Sequence, residues 1–306
     1  MSAYLSILAP IQITDAMLVS STASEPATSG EPAWAAITSY AVDSLVSRST
    51  THRIYRNLIA GVDATLPEDS ALLTTPHWQD IGPTNQRAMF DGEVSTQTVV
   101  ASPLTVVIRP GFFNSLYLAG LDAAGATITV KDAPGGNVIY SAVGPLEGSA
   151  PDDYYEWCFD PFKPQRDLLL SGIDPYNAAE ITVTLTGGTV KCGMMALGDL
   201  RPLGSTQYGA KAKPKSYSYI DIDKYGNNKI VRRKKAKDIS ATAMLSLSEA
   251  NSVLETITEL LDVPCVVICT DLPEYGGLRA FGLVSGELSY DFPKDCQLSV
   301  NVLGLI

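Results

Sequence analysis

Along most of the chain apolar and polar residues alternate with a period of two, in short runs broken by Gly, Pro, Asn, Asp and Ser. Runs such as LTVVIR (104–109), NSLYLAGL (114–121), ATITVKD (126–132), NVIYSAV (137–143), RDLLLSG (166–172), EITVTLTG (180–187) and TVKCGMMALG (189–198) send successive side chains to opposite faces, as strands with one buried face require. YYEWCFD (154–160) is rich in aromatics and is expected as a further strand. Short strands at this spacing, with turn clusters such as APGGN and TGG between them, predict an antiparallel sandwich of jelly-roll type over 83–202. Upstream, over 1–82, the polar segment SSTASEPATSGEP precedes AITSYAV, RIYRNLIA and PHWQDIG, which together predict a small three-stranded β module.

One segment changes period. In SLSEANSVLETITELLD (246–262), Ala250, Val253, Leu254, Ile257, Leu260 and Leu261 recur at helical spacing, with Ser248 as the expected N-cap and Pro264 beyond the far end. The strands CVVICTD, LRAFGLVSGELSY and CQLSVNVLGLI follow. The region 203–306 is therefore expected to be an α+β domain with one main helix packed on an antiparallel sheet, because that arrangement buries both apolar faces. The fold class of the whole is mainly β.

The 306 residues carry a formal net charge of -11, with 45% hydrophobic and 18% charged residues. Against that acidic background, 211–237 holds ten basic residues and two acidic ones, a local balance of +8 that leaves -19 on the remainder. Within DIDKYGNNKIVRRKKAKDIS (221–240), a continuous strand would set Lys229, Arg233, Lys235 and Lys237 on one face and Arg232 and Lys234 on the other. Neither face could be buried without a partner, so this segment is expected as an exposed hairpin arm and these six cations as the candidate subunit interface. Its partner is expected to be an acidic protein surface or phosphates, the first being a neighbouring copy of the same acidic chain in a head-to-tail contact. Nucleic acid is the weaker expectation, since stacking aromatics are few here and the chain as a whole is acidic. A solvated hairpin without any partner is the bland alternative.

The opening Asp-x-Asp-x-x-Gly of that segment imitates a calcium loop through Asp221, Asp223 and Gly226, but Tyr225 and Arg232 stand where oxygen ligands are needed. A turn at Tyr-Gly-Asn-Asn explains the same residues, so no metal is expected. Cys158, Cys192, Cys265, Cys269 and Cys296 lack Cys-x-x-Cys spacing, and with only His52 and His77 beside them they are read as small buried thiols in a reducing compartment. Catalytic parts are missing: GLVSG (282–286) has its serine one place late for a nucleophile elbow, and the adjacent pair Asp152 and Asp153 would point to opposite faces of a strand. No enzymatic activity and no cofactor are expected. With no run of about 18 apolar residues and no basic start before SAYLSILAP, neither membrane insertion nor a signal peptide is expected.

Three resemblances add to this reading. Trp34, Tyr40, Val42, Val46, Tyr55, Pro67 and Trp78 follow the order found in the small chitin-binding modules of chitinases. That resemblance implies possible host-glycan contacts at Trp34, Tyr55 and Trp78, with core packing as the competing role for such large aromatics in a small fold. MFDGEVSTQT and ITVTLTGGTVKCGMMALG resemble galactose-binding-like jelly rolls. PHWQDIGPTNQRAMFDG (76–92), MMALGDLRPLGSTQYGAK (194–211) and YSYIDIDKYGNNKIVRRKKAKDISATAML (217–245) resemble structural proteins of tailed-bacteriophage tails. That likeness implies a virion component of the tail tip or baseplate, assembled in the host cytoplasm with other phage tail proteins, as a homo-oligomeric ring. A receptor-recognition role on host glycans, and nucleic-acid binding through the arm, are the alternatives.

Overall fold

The computed structural model describes residues 4–27, 30–146, 153–159, 164–222, 224, 226–290 and 293–305. The fold is mainly β, built from antiparallel sheets with one main helix.

A sandwich occupies the middle of the chain. Its five-stranded sheet runs in the order Val138–Pro145, Gly125–Lys131, Glu180–Thr186, Leu104–Ile108, Leu18–Ser21. Facing it are Asp167–Leu170, Ser115–Ala119 and the first half of the long strand Met194–Thr206. Alternate side chains of both layers, among them Val106, Ile128 and Val183 against Leu116, Leu118 and Leu197, interlock in one core. The eighth expected strand is a correction. Tyr154–Phe159 is a short helix, in which Tyr155 and Phe159 meet at ring centroids 4.8 Å apart, a contact that i, i+4 spacing provides on a helix.

The second half of Met194–Thr206 continues into a barrel. Six strands run Met194–Thr206, Tyr4–Pro10, Cys265–Ile268, Arg279–Ser289, Asp295–Gly304 and Lys235–Ser246. Pairing of Ser205 and Thr206 with Met244 and Ala243 brings the last strand back to the first. Closure removes the exposed edges that an open sheet would leave. Leu203, Ile7, Val267, Val284, Val300 and Ala243, one from each strand, fill the interior with Val253 and Ile257 of the helix Ala250–Glu259. At the tightest corner, a Cβ on Gly282 would lie 2.1 Å from the Leu303 carbonyl oxygen, so only glycine lets those backbones pass. The helix begins after Glu249 with no side-chain cap, whereas Ser248 was the expected N-cap; the Ser248 hydroxyl is instead 2.8 Å from that of Ser246.

The opening residues thus belong to three units, and the division at 82 does not follow the sheets: Tyr4–Pro10 is a barrel strand and Leu18–Ser21 a sandwich strand. What remains is the small module, with strands Leu45–Arg48, Arg53–Asn57 and Trp78–Pro83 around Val46, Tyr55 and Trp78. It is tied to the rest at His52, whose Nδ1 lies 2.7 Å from Glu25 and whose Nε2 lies 2.8 Å from Asp15. Arg87 also binds Asp15, and the His52 hydrogen bond, with the charges of His52 and Arg87, holds the Asp15 carboxyl below its ordinary range.

Candidate functional site

The cationic segment forms a two-stranded ribbon growing out of the barrel. Lys211–Ser216 pairs with the first half of Lys235–Ser246, and beyond a kink Tyr219–Ile222 pairs with Asn228–Val231. The kink is spanned by the Tyr217 N–H donating to the Lys234 carbonyl and the Arg233 N–H donating to Ser218 Oγ at 2.9 Å. Every residue of Lys211–Ser216 and Tyr219–Ile222 is exposed, so no core supports the ribbon beyond its root. Pro214 sits in the outermost strand, where a missing N–H costs no ladder bond, and Lys211, Lys213 and Lys215 guard the same edge. The expected hairpin is therefore present; Asp223 and Tyr225 of its turn lie outside the described residues.

Register divides the ribbon into two unlike faces. Ile220 stands opposite Ile230, with Ile222 two residues on, so all three share one face. They are 62%, 66% and 64% exposed respectively. On the other face Tyr219 carries the Arg233 guanidinium 4.9 Å from its ring centroid, and nearer the root Lys215 stands over Tyr217 at 5.1 Å.

The six predicted interface cations separate into two groups. Lys229, Arg232 and Arg233 are exposed on the ribbon. The strand is interrupted between Val231 and Lys235, so the alternation expected through 229–237 does not run. Lys234, Lys235 and Lys237 instead line a cleft at the ribbon root, and Lys237 is half-buried rather than part of a free arm. This cleft of about 500 Å³ lies where the sandwich sheet meets the barrel. Tyr117 and Phe281, both buried, contribute to its apolar lining, and Arg166, Asp167 and Arg279 add charge. Burial lowers the Lys237 pKa, opposed by the Asp167 carboxylate and aided by Arg279. Burial likewise pushes the Tyr117 phenol upward, keeping it a neutral hydroxyl.

Sequence patterns did not single out Arg279, Asp167 or Tyr117. Arg279 left one trace, a cation opening an otherwise apolar strand, RAFG, that is buried throughout. Its side chain is 8% exposed, with Nη1 3.5 Å from Asp167 Oδ2 and Nη2 donating to the Asp271 carbonyl at 3.2 Å.

The aromatic residues expected to touch glycans are placed differently. Trp78 and Tyr55 are buried in the module core, where no external sugar reaches them, because a module this small has little other apolar area to bury. Trp34 packs against that core, and the Arg48 guanidinium stands over its ring at 5.1 Å. Four cysteines are buried as expected; Cys158 is exposed on the short helix. Burial alone raises Cys265 to about 11, and raises Cys192 to about 12 against a weak opposing hydrogen bond to the Met194 carbonyl. Asp152 of the paired carboxylates lies outside the described residues. Among the described residues no three His, Cys, Asp or Glu side chains converge on a possible metal position, and no helix is long and apolar enough to cross a membrane.

Comparison with protein-family models, with curated proteins and with solved structures returns no match to this chain.

Proposed function

We propose that the protein is a structural component of a bacteriophage virion tail, in the tail-tip or baseplate region, whose ribbon docks on a second copy while the sandwich and small module face outward. The ribbon carries this reading: beyond its root it is exposed, cationic, and presents three isoleucines to water on one face. Isolated two-stranded ribbons are marginal in water, and a partner would supply the burial this one lacks.

The same chain offers a complementary surface. On the outer side of the helix Ala250–Glu259 and just past it, Leu254 and Leu261 are exposed beside Glu255, Glu259 and Asp262. The last helical turn has no basic residue, so negative charge gathers where the helix dipole favours cations. The isoleucine face of a neighbouring ribbon would cover the leucines, and the long side chains of Lys229, Arg232 and Arg233 would reach the carboxylates around the ribbon's edges. A contact of this head-to-tail kind repeats, and it closes into a ring when the rotation allows.

Light scattering on the purified protein tests the contact. The wild type is expected as an oligomer that loosens as salt rises, and the triple reversal K229E/R232E/R233E as a monomer that still folds, since exposed charges add little to the stability of the monomer itself. A wild type that stays monomeric at every concentration, or a reversal variant that assembles normally, overturns the contact. Absence of the protein from imaged tails overturns the virion role.

A further inference from the structure

The cleft at the ribbon root is independent of assembly and has its own chemistry. Five cations, Arg166, Lys234, Lys235, Lys237 and Arg279, line it against the single carboxylate of Asp167. Its volume of about 500 Å³ falls in the usual range of small-molecule sites and far exceeds a bare inorganic ion. Two polar atoms in its wall are buried without hydrogen bonds, Arg279 Nε as a donor and Asp167 Oδ2 as an acceptor. Their own ion-pair approach of 3.5 Å is longer than a good hydrogen bond. Buried polar atoms left in this state cost stability until something satisfies them.

The required ligand follows from these groups. Arg279 and the lysines give the lining a positive charge that suits anionic oxygen, the part-exposed Asp167 carboxylate accepts from a hydroxyl, and Tyr117 and Phe281 offer an apolar, aromatic lining. A phosphate or carboxylate alone satisfies only the first demand, and a neutral polyol only the second. We propose that this cleft binds an acidic saccharide, a sugar bearing a phosphate or carboxylate, with its anionic group on Arg279 and Lys237 and a ring hydroxyl on Asp167.

Titration calorimetry on the full chain at fixed ionic strength tests this with four probes: glucose 6-phosphate, glucuronate, inorganic phosphate and glucose. Glucose 6-phosphate or glucuronate, or both, should bind saturably and at least tenfold more tightly than phosphate or glucose; which of them binds identifies the anionic group. K237M, which removes a half-buried ammonium without an ion-pair partner among the described residues, should fold and bind the preferred probe at least tenfold more weakly. Asp167→Asn should narrow the advantage of the sugar acid over inorganic phosphate. No saturable binding, equal affinity in folded K237M, or phosphate binding as tightly as both sugar acids would each overturn the assignment.

Discussion

The barrel and the ribbon share a strand and differ in almost everything that holds them. Lys235–Ser246 begins paired with the exposed strand Lys211–Ser216 and ends as a barrel stave whose Ile239, Ala241, Ala243 and Leu245 are buried. Backbone pairing is antiparallel in both parts. The difference lies in the side chains: alternate positions in the barrel meet a common interior, whereas beyond its root the ribbon buries neither face. Hydrogen-bonded ladders set geometry, while burial supplies most of the net stability, so one strand can be firm at one end and dependent on a partner at the other.

Substitution at matched apolar positions sharpens this contrast most. Leu298→Ala, inside the barrel, should cost about 2–5 kcal/mol in denaturant unfolding, through lost burial and the cavity left behind. The same truncation at Ile220, Ile222 or Ile230 should change monomer stability by less than about 0.5 kcal/mol. Together, the three should weaken self-association at least tenfold in sedimentation experiments. A ribbon truncation as costly as the barrel one would break the comparison.

A subtler test uses the residue at the boundary. Lys237 has its folded pKa depressed chiefly by burial, so the unfolded chain holds this proton more tightly. Stability then rises with pH between the folded value and the ordinary lysine range near about 10.4. Lys237→Met should therefore be more stable than the wild type at neutral pH, and the gap should narrow as pH climbs through that window. Thermal melts of both proteins across pH measure it, and a gap that widens would be wrong in sign. The smallest effect is expected at Asp15. Its lowered carboxyl contributes stability that is present above the ordinary carboxylate range and lost as pH falls below it. Asp15→Asn should flatten that acid limb only slightly, because the side chain is largely exposed.

Local patterning made much of the fold legible. Period-two runs marked the sandwich strands, helical spacing marked Ala250, Val253 and Ile257, and the turn residues of 221–240 marked the hairpin. Leu254 and Leu261 obeyed the same spacing yet lie exposed at the margin of the stripe. Alternation states that a strand has two faces and is silent about its neighbours, so nothing announced that Tyr4–Pro10 would lie between Met194–Thr206 and Cys265–Ile268. The cleft was hidden for the same reason: Asp167 and Arg279 are far apart in sequence and meet only through the folded sheets. Tyr154–Phe159 was misread because aromatic content favours strands in general but carries no period of its own.

The place of Tyr4–Pro10 has a consequence during synthesis. Its partners at Val266 to Ile268 leave the ribosome some 260 residues after Ser6, a wait of roughly 10–50 s at about 5–20 residues per second. The sandwich can mature while that first segment is paired on one side only, along Met194–Thr206. A chain abandoned before the last quarter is made never completes its barrel, so nascent fragments lack the closed platform from which the ribbon grows.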